Sequence, residues 1–199
     1  DWATEGPTWP FNTRSAFVKN GAHRWHVQEI GAETATAARI LLLHGAGAST
    51  HSWRALATLL APDHRVLMID LPGHGFSECR IPARIALAPM AEDIRALREE
   101  LAFAPDLIVG HSAGAAVALR MAETDGAAAP PVIGVNAAIS EFKGLAGVLF
   151  PAMAKMLALN PLTALVVSRT TTEDRVRALL ENTGGAPDPE MLSFYKRLV

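Results

Sequence analysis

The stretch Leu107-Ile108-Val109-Gly110-His111-Ser112-Ala113-Gly114-Ala115-Ala116-Val117-Ala118 decides how this chain is read. A short apolar run reaches Gly110, and a segment rich in small residues follows from Ala113 to about Ala122. That order predicts a strand, a tight turn and a helix. Gly110-His111-Ser112-Ala113-Gly114 then matches G-x-S-x-G at the turn. Glycines suit such a turn because they tolerate strained dihedrals and leave room for neighbouring backbone. The turn would lift the Ser112 hydroxyl above the sheet, over a helix N-terminus whose positive potential suits a developing anion. The plain alternative is a βα turn whose serine caps the helix.

Two further motifs lie upstream. Arg39–Leu43 is a short apolar run that ends at His44-Gly45-Ala46-Gly47. In acyl transfer the tetrahedral oxyanion is held by two backbone N–H groups, one after the nucleophile and one from a loop of this kind. Here those would be Ala113 and Ala46. His44 precedes Ser112, so its expected part is to brace the loop; Gly45, Gly47, Gly110, His111 and Gly114 shape the turns. Arg65–Ile69 reads as the next strand, ending at Asp70-Leu71-Pro72-Gly73-His74-Gly75-Phe76-Ser77. Asp70 and His74 read there as loop-shaping residues. No His or Cys cluster at ligand spacing points to a metal.

Outward from these motifs, Ala16–Val18 and Arg24–Gln28 read as strands around Asn20-Gly21. A helix is expected from about Ser52, with Trp53, Leu56, Leu59 and Leu60 inward. Another begins near Pro89, with Met90, Ile94, Leu97 and Leu101 as its stripe. Val132–Val135 is a further strand, and Ala127–Ala129 a loop. The alternation predicts a doubly wound, mostly parallel sheet, with its site at the carboxyl ends of the strands. From Glu141 the pattern changes to apolar helical pieces broken by Pro and Gly. Residues 1–140 are expected to form the core and 141–199 a helical cap. Phe142, Leu149, Phe150, Met153 and Met156 are candidate pocket residues in that cap, and core packing would explain them equally well.

Composition narrows the classes. Half of the 199 residues are hydrophobic and 19% are charged, which suits a packed domain rather than a disordered chain. A formal charge of −2 gives no basic excess for nucleic acid. Cys79 is the single cysteine, so a reducing compartment is expected. The opening DWATEGPTWP lacks a basic region followed by an apolar one, so it does not read as a signal peptide. Leu145–Val167 has the length of a membrane span, but Pro151, Lys155, Asn160 and Pro161 fall inside it. A cytoplasmic protein is expected, with peripheral membrane contact through that segment as a weaker reading.

Taken in order, the motifs at residues 44–47, 70–77 and 110–114 resemble the α/β-hydrolase superfamily over residues 24–140. The resemblance implies a Ser–acid–His hydrolase with a mobile cap and no cofactor. A closer likeness rests on the Trp-rich opening, Ser15–Val18, Arg24–Gln28, Thr50–Arg54, Gly110–Ala116 and Leu157-Ala158-Leu159-Asn160-Pro161. These resemble the magnesium-chelatase accessory proteins of bacteriochlorophyll biosynthesis. That likeness implies a role near magnesium insertion into protoporphyrin IX. A small apolar molecule such as a tetrapyrrole, or magnesium chelatase itself, would then be a partner.

The order Ser, then acid, then His is incomplete within the sequence. All seven histidines lie at or before His111. Of the carboxylates after Ser112, Asp125, Glu141, Glu173, Asp174, Glu181, Asp188 and Glu190 fall in a loop or in the cap. The acid and the histidine are therefore expected beyond residue 199, on a further stretch of roughly 60–100 residues. Two readings stay open: a hydrolase acting on an ester-like bond, and a non-catalytic accessory that uses the same scaffold. His23, His26, His51 and His64 read as exposed-loop or strand histidines without a catalytic part.

Overall fold

A computed structural model describes residues 1–138, 177 and 189–198. The chain divides into two compact units, Asp1–Ala138 and Ile139–Val199. In the first, the strands are β1 (Ser15–Asn20), β2 (His23–Gly31), β3 (Arg39–Leu43), β4 (Arg65–Ile69), β5 (Glu78–Cys79), β6 (Leu107–His111) and β7 (Val132–Val135). The helices are α1 (Trp2–Glu5), α2 (Arg54–Leu60), α3 (Leu87–Glu100) and α4 (Ala113–Asp125). In the second unit, α5 (Pro189–Arg197) buries Leu192 and Phe194.

The sheet runs β1-β2-β4-β3-β6-β7, with β5 paired to β2. β3, β4, β6 and β7 are parallel, whereas the β1–β2 hairpin joins β4 antiparallel. The centre is buried on both faces, which explains its unbroken apolar runs. Alternation then sorts the side chains. Leu41, Leu43, Leu67, Ile69 and Ile108 pack with Met90, Ile94 and Leu97 of α3 and Val117 and Met121 of α4. Ile40, Leu42, Val66, Met68 and Val109 pack on the other face with Trp53 and Ala57.

Several expectations need correction. Leu59 is 77% exposed, and Ala57 holds the inward position of α2. Ala57 lies one turn after Trp53, on the same stripe, while Leu59 falls off it. α3 starts at Leu87, ahead of Pro89. Pro89 thus sits in the first turn, where its missing N–H breaks no helical bond. Part of the expected Ala127–Ala129 loop is a short 3₁₀ turn, Gly126–Ala128. The aromatic opening folds back onto the sheet: Trp2 packs on Phe17, His26 and Phe76, and Trp9 on His51 and Phe76. Among the described residues no helix is long and apolar enough to cross a membrane. The Leu145–Val167 stretch lies outside those residues.

α4 approaches β3 more closely than a side chain would permit. A Cβ on Gly114 would meet the backbone carbonyl oxygens of Leu43 and His44, the latter at 2.5 Å. Neither oxygen can move without shifting β3. Gly114→Ala is expected to cost about 3 kcal/mol of stability, read as an earlier midpoint in urea with the slope unchanged. An unchanged midpoint would show that the contact between α4 and β3 is slack.

Candidate active site

Sheet register brings the motifs together. Leu43 pairs with Ile69 on one side and with Gly110 on the other, all in parallel. The residues that follow, His44, Asp70 and His111-Ser112, therefore emerge along one edge of the sheet.

Ser112 stands between β6 and α4 with φ 51° and ψ −115°, and its side chain makes no capping bond to the helix. This excludes the serine-cap reading. A non-glycine residue held there stores strain on the order of 1–3 kcal/mol. Its own backbone bonds hold it: the Ser112 N–H donates to Val135 O at 3.0 Å, and its carbonyl accepts from the N–H groups of Ala115 and Ala138, each at 3.1 Å. Among the described residues the Ser112 hydroxyl has no hydrogen-bond partner, and the N–H groups of Ala46 and Ala113 serve no other acceptor.

The loop after β3 lies directly against this turn. A Cβ on Gly45 would stand 3.1 Å from Ser112 Cβ and 2.9 Å from His111 Nδ1, so only glycine permits the approach. The orientation of the loop comes from His44. Its Nδ1 lies 2.8 Å from Gly45 O, and its Nε2 accepts from the Leu71 N–H at 2.9 Å. The second bond places the ring proton on Nδ1, which therefore donates to Gly45 O. Ala48 N–H donates to the same oxygen at 3.2 Å. In a trans peptide the C=O and N–H point in opposite directions, so holding Gly45 O also aims the Ala46 N–H. Gly47, at φ 72°, completes the turn. His44 thus braces the loop.

Asp70 anchors the neighbouring loops. Fully buried, it accepts from the Thr50 N–H at 2.6 Å and the Phe76 N–H at 2.9 Å, and it lies 2.8 Å from His26 Nδ1. Burial alone would raise its pKa, but the bond and charge of His26, aided by His44 and Phe76, outweigh it and hold the carboxyl below its ordinary range. His74 shapes the loop through Nδ1, 3.1 Å from Pro72 O. Of the other histidines, His23 and His26 are strand residues of β2, as read, and both are buried; His51 lies off the strands and is buried too, so exposure is corrected there. Their partners come from remote segments, Asp93 for His23 and Asp70 for His26, which no local pattern reveals.

Of the carboxylates that follow Ser112, Asp125 pairs with Arg95 at 2.7 Å and Arg98 at 3.4 Å, and is committed there. Glu141, Glu173, Asp174, Glu181 and Asp188 lie outside the described residues, as do the candidate pocket residues Phe142, Leu149, Phe150, Met153 and Met156. Among the described residues no group of His, Cys, Asp and Glu is arranged to hold a metal ion.

Comparison with known proteins agrees with this architecture. Residues 40–198 match the alpha/beta hydrolase family. The chain is 41% identical over 193 residues to the magnesium-chelatase 30 kDa subunit of Rhodobacter capsulatus, covering 96% of this chain and 66% of that protein. It is 33% identical over 99 residues to an esterase of Mycobacterium tuberculosis, covering 50% of this chain and 31% of the esterase. Among solved structures, an alpha/beta hydrolase fold protein from Burkholderia ambifaria superposes with a TM-score of 0.67 at 24% identity, over 93% of this chain and 68% of that one. The chain thus spans just under two thirds of the length of the chelatase subunit.

Burial lowers the His44 pKa from 6.5 to about 4, against the opposing pull of Asp70. The folded state keeps this ring neutral while the unfolded chain protonates it, so stability is full above pH 6.5 and falls as pH drops towards 4. The shift corresponds to roughly 3 kcal/mol. Urea unfolding at pH 7.5 and pH 4.5 should show most of that loss in the wild type and clearly less in His44→Gln. Equal losses in both proteins would remove His44 as the source.

Proposed function

The chain belongs to the alpha/beta hydrolase family, and on that premise we propose that Ser112 is the nucleophile of a serine hydrolase acting on an ester-like bond of an apolar substrate. The observation that carries this reading is the strained Ser112 turn, with the Gly45 loop packed against its Cβ. Ser112 Oγ attacks the carbonyl carbon. The N–H groups of Ala113 and Ala46, each unclaimed by another described acceptor, receive the oxyanion. One such donor is worth about 2.7–4 kcal/mol in the transition state. The hydroxyl proton passes to a base outside the described residues. Phe142, Leu149, Phe150, Met153 and Met156 line the apolar pocket in this reading.

A second reading draws on the likeness to the magnesium-chelatase subunit, which runs over 96% of this chain. Here the protein is a non-catalytic accessory that assists magnesium chelatase or holds a porphyrin, and its apolar segment touches a membrane surface. The observation in its favour is the extent of that likeness, 96% of this chain against 50% for the esterase.

Exposure to a fluorophosphonate followed by intact-mass measurement separates the two. Hydrolase chemistry predicts a single adduct at Ser112 that is lost in Ser112→Ala. An unlabelled Ser112 in folded protein would sink the hydrolase reading. Quenching of protoporphyrin IX fluorescence, or co-elution with magnesium chelatase, would then be expected instead.

A further inference from the structure

His111 stands apart from the histidines around it. His23, His26, His44, His51 and His74 each meet a carboxylate, hydroxyl or carbonyl of the fold. His111 is half-buried, yet among the described residues neither of its ring nitrogens has a hydrogen-bond partner. A side chain that shaped the Ser112 turn would be tied to it. The turn is held by backbone bonds instead, from Ser112 to Val135, Ala115 and Ala138. Partly desolvated polar groups without a partner are uncommon, because the lost hydration goes uncompensated.

Strand alternation decides where the ring lies. Ile108 packs with Val117 and Met121 of α4, and a Cβ on Gly110 would strike Ala115 of the same helix. Val109 and His111 therefore point to the opposite face, where Val109 packs with Leu42 and Trp53. Gly110 pairs with Leu43, the last residue of β3, so His111 is level with the loop that begins at His44. Contact with that loop is direct. The Cβ position of Gly45 is 2.9 Å from His111 Nδ1 and 3.1 Å from Ser112 Cβ. Imidazole and nucleophile thus flank the residue that precedes Ala46, whose N–H is the proposed oxyanion donor. On its other side His111 pairs with Val135 of β7, which is 40% exposed. Burial holds the His111 pKa below its ordinary 6.5, so the ring is neutral at neutral pH. Whichever nitrogen carries the proton, a neutral imidazole offers one donor and one acceptor. It has no charge with which to pair a carboxylate or an ammonium group.

We propose that His111 is a specificity-determining residue of the Ser112 site, where its imidazole N–H bonds an uncharged oxygen on the acyl part of the substrate, a few bonds from the scissile carbonyl. The proposal rests on the serine-hydrolase reading of Ser112 and names the substrate class: esters of otherwise apolar acids that carry an ether, hydroxyl or keto oxygen near the carbonyl. The acyl part is the one concerned. The alcohol leaves towards the base that protonates it, and His111 does not bond the Ser112 hydroxyl. A site built to hydrogen-bond a substrate group rejects the analogue that lacks it, because its own polar atom is then left unpaired.

The test compares p-nitrophenyl methoxyacetate with p-nitrophenyl butyrate, which differ by an ether oxygen in place of one methylene. kcat/KM is measured for both esters in the wild type and in His111→Phe. The ratio of the two esters is then compared between the proteins, so that their intrinsic reactivities cancel. The preference for methoxyacetate is expected to fall about fivefold in His111→Phe, the worth of one hydrogen bond. An unchanged ratio overturns the proposal. Should His111→Phe fail to fold, His111→Ala is read in the same way. If the wild type hydrolyses neither ester faster than Ser112→Ala does, the hydrolase reading itself fails and this proposal with it. Measurable hydrolysis with an unchanged ratio removes the role of His111 alone.

Discussion

A carboxylate taken out of water has to be met by donors from several directions, and at Asp70 those donors come from separate parts of the chain. Thr50 N–H belongs to the segment after β3, Phe76 N–H to the loop after β4, and His26 to the second strand of the hairpin. Losing a partner from a buried charge typically costs about 3–5 kcal/mol. Each donor is therefore held against drift. Trp2 and Trp9 reinforce the arrangement from above, packing on Phe76, His26 and His51. The hairpin, both loops and the N-terminal segment thus share one electrostatic anchor.

The same economy operates one strand away. Leu71, next to Asp70, donates to His44, and His44 holds the Gly45 carbonyl beside Ser112. The geometry of the candidate site is accordingly a consequence of buried polar bonds rather than of side-chain packing alone. Such bonds are strong in low dielectric and expensive to leave unmade. Strain at Ser112 is tolerated because its N–H and carbonyl are both tied to the backbone of Val135, Ala115 and Ala138.

Much of the core was legible because burial imposes periodicity. β3 and β4 begin and end where their apolar runs do, since strands covered on both faces admit few polar residues. The glycine-flanked turns were legible for a related reason: close approach of backbones excludes side chains, and the composition records it. Leu59 and Ala57 mark the limit. Hydrophobicity favours the leucine, yet position around the helix admits the smaller residue and leaves Leu59 at 77% exposure. A stripe is set by angle as well as by residue type.

From the sequence alone came the strand–turn–helix order, the turn at Ser112, the loop at residues 44–47 and the doubly wound architecture, because each is written in local spacing. Only the tertiary structure decided what the histidines do. His26 reaches Asp70 across 44 positions, and His44 reaches Leu71 across 27. Such pairs leave no periodic trace, since each needs a single donor and a single acceptor brought together by strand order. The hydrogen-bonded run from Asp70 through His26 to Ser15 belongs to this second kind: its members are ordinary residues in sequence and come together only when β1, β2 and β4 lie side by side.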